Sequence, residues 1–196
     1  MPSRRNWYVA MMLIFIAGVG CVFLSRTDSQ AGNTPTAGSS IAPPPAQSAP
    51  RAGFLSPEFS LYTLEGRQIS LQGYRGDHAV IINFWATWCP PCRAEMPALE
   101  SAHQEYAEQG IVILGVDQME SAEKVRDFIA EKEITFPVLL DKEGAVGHDY
   151  RVSGLPTTVF VRFDGTILDV VVGGPMSKAF IESKIKTLLE EKDGPI

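Results

Sequence analysis

The sequence predicts an α/β fold: a mixed sheet with central parallel strands, helices on both faces, and antiparallel strands toward an edge. Three observations carry this expectation. Ala79-Val80-Ile81-Ile82-Asn83-Phe84-Trp85-Ala86 and Ile111-Val112-Ile113-Leu114-Gly115-Val116 are strand-length apolar runs, each followed by a helical pattern. Asp164-Gly165 separates two further strand-like runs, a strong two-residue hairpin signal. No internal repeat is apparent, and 45% hydrophobic content supports a real core.

The chain begins with a short basic stretch holding Arg4 and Arg5, and Trp7 to Leu24 then runs without a charge. As a helix this run would span ~27 Å, close to the ~30 Å hydrocarbon core of a bilayer. The two arginines predict an inside N-terminus, with everything after Arg26 outside the cytoplasm. Three readings compete: an uncleaved anchor, which we favour; a cleaved signal peptide; and a lipoprotein signal ending at Cys21. All three export the remainder of the chain. Residues 25–53 hold no aromatic residue and repeat Pro, Ala, Ser and Gly, the composition of a disordered tether. The organisation expected is thus an anchor over 1–24, a linker over 25–53 and a folded domain over 54–196.

Within the domain, Phe59–Thr63 and Arg67–Leu71 alternate as two strands joined through Glu65-Gly66. A helix is expected from about Pro90 to Gln109, kinked at Pro97 and closed by Gly110. Ser121 caps a second helix with Val125, Phe128 and Ile129 on one face, and Phe136–Leu140 reads as a third apolar strand. A short helix around 145–150 precedes the Asp164-Gly165 hairpin. Ser177 then caps a last helix whose apolar side is Phe180, Ile181, Ile185, Leu188 and Leu189. From residue 54 onward the chain holds 13 basic and 22 acidic side chains. An acidic domain without a basic stripe argues against nucleic-acid binding.

Chemistry concentrates at Trp88-Cys89-Pro90-Pro91-Cys92. A buried strand delivers two cysteines, three apart, onto the first turn of a helix, where Pro90 and Pro91 suit positions whose N–H groups have no intrahelical partner. The partial positive charge of that terminus favours a thiolate at Cys89, and Cys92 is placed to attack the mixed disulfide that Cys89 would form. Half of a zinc site or a purely structural disulfide are the alternatives. No second Cys pair exists, and His78, His103 and His148 lack metal-ligand spacing, so no metal is expected. A loop of two residues removes little unfolded-state entropy.

Asn83 through Cys92, with Pro97 and the later Gly154-Leu155-Pro156-Thr157, resembles the thioredoxin fold. The export segment, the two extra N-terminal strands and the helix–strand insertion between Glu120 and Leu140 resemble its TlpA/ResA-like branch of membrane-anchored thiol–disulfide oxidoreductases, which includes cytochrome c maturation reductants. The resemblance implies a thioredoxin-like three-layer sandwich with an extra N-terminal β-hairpin and an inserted helix–strand. It also implies a cis Leu155–Pro156 bond beside the cysteines, with the Leu155 backbone free to pair with an incoming peptide. Asn83 departs from ordinary thioredoxins, which carry a buried aspartate there. Glu95 lies on the same helix face as Cys92. In the ResA-like branch the matching glutamate lies near the thiols, so Glu95 is expected to be partly buried, with raised pKa, and to exchange a proton with Cys92. Trp88 is expected to wall the site and bind substrate, with a core or surface-patch aromatic as the alternatives; Phe84 and Trp85 are expected to pack.

Direction of electron flow must come from the site. Pro91 lacks one of the two N–H groups that normally stabilise an N-cap side chain, so the nucleophile should be only moderately activated. The couple is expected nearer the reducing end of the known range, ~−270 mV, than the oxidising end, ~−120 mV. The expected partners are exported protein disulfides, apocytochrome c among them, and a membrane-embedded thiol donor that re-reduces a monomeric enzyme. No cofactor is expected beyond the redox-active Cys89–Cys92 disulfide. General periplasmic exchange or isomerisation, and a tethered chaperone or copper-binding module, are the alternatives. A peroxiredoxin would need Thr or Ser three residues before its cysteine, whereas Thr87 stands two before Cys89.

Overall fold

The computed structural model describes residues 47–192. The Trp7–Leu24 span, Cys21 and the tether up to residue 46 lie outside the described residues. Among those described, no helix is long and apolar enough to cross a membrane.

Seven strands form one sheet: β1 (Ser60–Thr63), β2 (Gln68–Ser70), β3 (Ala79–Trp85), β4 (Ile111–Gln118), β5 (Val138–Asp141), β6 (Thr157–Val161) and β7 (Ile167–Val172). Their spatial order is β2-β1-β5-β4-β3-β6-β7. β3, β4 and β5 run parallel at the centre; β1, β2, β6 and β7 add antiparallel pairings on both sides, not on one edge alone. All seven residues of β3 are buried, as a central strand covered on both faces requires. The α-helices among the described residues are α1 (Pro90–Tyr106), α2 (Ala122–Glu131), α3 (Ala145–Asp149) and α4 (Lys178–Lys192).

The period of two along β3 divides the core. Ile81 and Trp85 pack with Met96 and Leu99 of α1, Val125 and Phe128 of α2, and Ile181, Ile185 and Leu188 of α4. Val80, Ile82 and Phe84 face the opposite way, onto Val146 of α3, Tyr150, Phe59 and Leu71. Among the described residues, three helices therefore cover one face, and a single short helix with residues flanking the β1–β2 hairpin covers the other. Phe180 departs from the expected apolar side of α4: it is 37% exposed, with the Lys184 ammonium 5.3 Å from its ring centre.

α1 passes through a 3₁₀ turn into Gly110, whose φ of +89° is left-handed. Glycine tolerates this conformation, and it lets the Gly110 carbonyl accept the Ala79 N–H at 3.0 Å where β4 starts beside β3. At the other end of the chain, hydrogen bonding to the sheet begins before Phe54, where the linker was expected to end. Ala49 N–H donates to Leu55 O, Gly53 N–H donates to Ile167 O, and Arg51 stacks over the Phe54 ring at 3.9 Å. Phe54 and Leu55 anchor the edge of β7 and bring the preceding residues with them.

Candidate active site

β3 ends at Trp85, and the chain turns at once: the Cys89 N–H donates to Ala86 O at 3.2 Å. Cys89 is the N-cap of α1, with Pro90 and Pro91 in the first turn. A disulfide joins Cys89 to Cys92, with an S–S distance of 2.05 Å and Cα atoms 5.3 Å apart. The Cys92 N–H points at Cys89 Sγ, 3.3 Å away. Pro91 has no N–H to add, so of the two positions that can donate to an N-cap side chain only Cys92 serves the sulfur. Cys92 is wholly buried, and Cys89 keeps a 2% opening to solvent. Both cysteines are thus buried, and Cys89 is the one whose sulfur receives the cap donor.

Below the pair sits a buried polar cluster. Glu95, one turn along α1 from Cys92, has no solvent exposure. Its Oε1 accepts from Asn83 Nδ2 at 2.8 Å and its Oε2 accepts from the Met176 N–H at 3.0 Å. Asn83 Nδ2 also donates to Thr158 Oγ1 at 2.9 Å, while Asn83 Oδ1 meets no donor. Burial pushes the Glu95 carboxyl above its ordinary pKa, and the Met176 and Asn83 donors pull back only in part. Complete rather than partial burial is the difference from expectation.

The Leu155–Pro156 bond is cis. Pro156 O accepts the Gly173 N–H at 2.8 Å, and Gly174 fits against both the Pro156 ring and Glu95: a Cβ there would lie 2.8 Å from Pro156 Cγ and 2.7 Å from Glu95 Oε2. The Pro156 loop and the carboxylate therefore meet at one glycine. Gly174–Pro175 is a second cis bond, and it precedes the Met176 N–H that holds Glu95. This segment went unread in the sequence, although Gly173-Gly174-Pro175 is a strong turn signal. Trp88 is 63% exposed, which fits the surface-patch alternative rather than a wall of the site. Phe84 and Trp85 are fully buried and pack, as expected.

A family model described as the AhpC/TSA family matches residues 53–170. The chain belongs to that family. It is 44% identical over 135 residues to the thioredoxin-like protein YneN of Bacillus subtilis, covering 68% of this chain and 78% of that protein. The thiol-disulfide oxidoreductase ResA of Halalkalibacterium halodurans is 37% identical over 141 residues, covering 72% of this chain and 79% of ResA. Among solved structures, a thiol:disulfide interchange protein of the thioredoxin family from Chlorobium tepidum aligns with a TM-score of 0.62 at 31% identity. That alignment covers 69% of this chain and 95% of the other. The domain has a thioredoxin-like fold, and the protein is a thiol–disulfide oxidoreductase of the ResA/DsbE type with a Cys89–Cys92 pair. Protein disulfides are the substrates that membership implies.

Proposed function

We propose that this oxidoreductase works outside the cytoplasm as a reductant of exported protein disulfides, apocytochrome c among them. The Cys89 thiolate attacks a substrate disulfide, forming a mixed disulfide and releasing one substrate thiolate. Cys92 then gives its proton to Glu95 and attacks Cys89 Sγ. The second substrate thiolate leaves, and the protein holds the disulfide while its substrate has gained two electrons; one departing thiolate takes back the Cys92 proton from Glu95 and the other takes its proton from solvent. Leu155 supports the docking of an extended peptide, because none of its backbone groups is engaged in a hydrogen bond among the described residues. Exposed Trp88 offers an apolar contact beside the reacting sulfur.

The observation that carries the direction is the single N–H at Cys89 Sγ. A strong oxidant stabilises its reduced thiolate; a nucleophile with one cap donor does so weakly. Arg4, Arg5 and the uncharged run after them support an anchored, single-pass arrangement with the domain outside. An oxidising exterior lacks a thiol pool, so we infer that a membrane-embedded thiol donor re-reduces a monomeric enzyme.

Trapping tests this reading. A Cys92→Ala variant expressed in its own envelope should accumulate disulfide-linked adducts at Cys89, with exported Cys-containing proteins as the captured partners. Capture of apocytochrome c would identify that substrate. Adducts absent from Cys92→Ala, or equally abundant in Cys89→Ala, would overturn the reductant mechanism.

A further inference from the structure

A carboxyl pair, Asp117 in β4 and Glu120 just beyond its end, grips the active-site turn. Asp117 is fully buried; its Oδ2 accepts the Glu120 N–H at 3.1 Å and its Oδ1 meets no donor. Between them Met119 has φ +60°, a left-handed conformation that residues with a side chain rarely adopt and that costs about 1–3 kcal/mol. That turn brings the chain back toward β3. The Glu120 side chain, 5% exposed, reaches Thr87: its Oε2 accepts the Thr87 N–H at 2.5 Å and its Oε1 accepts the Thr87 hydroxyl at 2.8 Å. Lys124, one turn into α2, closes an ion pair on the same carboxylate. Thr87 is the second residue of the Ala86–Cys89 turn that presents the nucleophile.

We propose that Glu120 is a positioning residue for Cys89, fixing the Ala86–Cys89 turn through the main-chain N–H and hydroxyl of Thr87. The inference rests on Cys89 being the attacking sulfur. Without Glu120, the Thr87 N–H just beyond β3 would lose its acceptor, and the turn would lose the two bonds that tie it to β4. Charge-assisted bonds to a nearly buried carboxylate are strong, and a nucleophile displaced by about 1 Å can lose on the order of 10²-fold in rate.

The grip also depends on protonation. Burial raises the Glu120 carboxyl, but the Lys124 and Thr87 donors outweigh it and hold the group below its ordinary pKa. Burial, reinforced by the Glu120 charge, pushes Asp117 up to about 7. The charged groups facing Glu120 are Asp117 from β4 and Lys124 from α2; the β3–α1 turn contributes only Thr87. Below pH 7 a protonated Asp117 can donate to Glu120, and above it two like charges share the grip.

Single-turnover reduction of a model protein disulfide by the full reduced chain, followed from about pH 5 to 9, tests this. The variants are Glu120→Ala, Thr87→Val, their double, and Lys124→Met. Glu120→Ala should lower the saturating rate about tenfold, leave the half-saturating concentration unchanged and lose an inflection near pH 7. Thr87→Val, which keeps the N–H, should lose less, and the double variant should be no slower than Glu120→Ala. Lys124→Met alters a half-exposed side chain and should give an intermediate loss in a folded protein. If Glu120→Ala does not fold, Lys124→Met and Thr87→Val decide by the same readings. Wild-type rates and pH profile in the folded variants, or additive losses in the double, overturn the proposal. A wild-type protein whose Cys89 does not react would instead overturn the reading of the nucleophile.

Discussion

Replacing Glu95 with Gln separates the proposed proton transfer from the structural work of the same side chain. Gln keeps the volume, and its oxygen can still accept the Met176 N–H that Glu95 accepts at 3.0 Å. Its amide nitrogen would then face Asn83 Nδ2, donor to donor. Asn83 can relieve this by turning its amide, which brings its unpartnered Oδ1 to the new donor and gives up the Nδ2 bond to Thr158 Oγ1. The net loss is one charge-assisted hydrogen bond and at most one neutral one, about 2–3 kcal/mol. The sign with pH comes from the raised carboxyl: its stabilising protonated form is complete below the unfolded value of 4.5 and is lost as pH rises through the folded pKa. Wild type should therefore lose stability relative to Glu95→Gln as the solution is made less acid. Catalysis should respond differently. A positioned base contributes about 10²–10⁴-fold, so removing it should slow the Cys92 step by on the order of 10²-fold near pH 7. Stopped-flow reaction of reduced protein with an aromatic disulfide reads both steps, since attack by Cys89 releases one coloured thiolate and resolution by Cys92 releases the second. Glu95→Gln should leave the first phase close to wild type and slow the second, with a shifted pH profile. An unchanged second phase in a folded variant would remove Glu95 from the mechanism.

Three further predictions concern the same domain. Gly174→Ala forces a Cβ to within 2.7 Å of Glu95 Oε2 and 2.8 Å of Pro156 Cγ, and should destabilise the protein by about 1–3 kcal/mol in urea unfolding while slowing resolution. Asp117, raised from 3.8 to about 7, makes wild type lose stability across that window as pH rises. Asp117→Asn should abolish this slope in denaturation measured between about pH 4 and 8. Equilibration with a thiol–disulfide buffer should place the Cys89–Cys92 couple nearer ~−270 mV than ~−120 mV, and a value above about −170 mV would make the protein an oxidant.

Much of this architecture could be read from residue order because its central strands are nearly continuous apolar runs. β3 and β4 are recognisable without partners, and Gly110 marks the end of the α1 region through a backbone conformation that glycine adopts cheaply. The cysteine pair was equally legible, since strand, turn and helix start lie close together along the chain. What escaped depends on chain segments far apart. Glu120 meets Thr87 across 33 positions and Met176 meets Glu95 across 81, and neither contact leaves a local periodicity. Phe180 and Trp88 differ for another reason: helical spacing and proximity to a site suggest burial, but a large aromatic can also stay in water. The start of the folded region was hidden by the Pro- and Ser-rich composition of its first residues, which says nothing of their pairing with β7.

The most direct measurement is competitive alkylation of the fully reduced protein at about pH 7 with less than one equivalent of iodoacetamide, read by peptide mass spectrometry. Label should appear on Cys89, with Cys92 protected until unfolding. Equal labelling of both cysteines, or label on Cys92 with Cys89 inert, would contradict the assignment of Cys89 as the attacking sulfur.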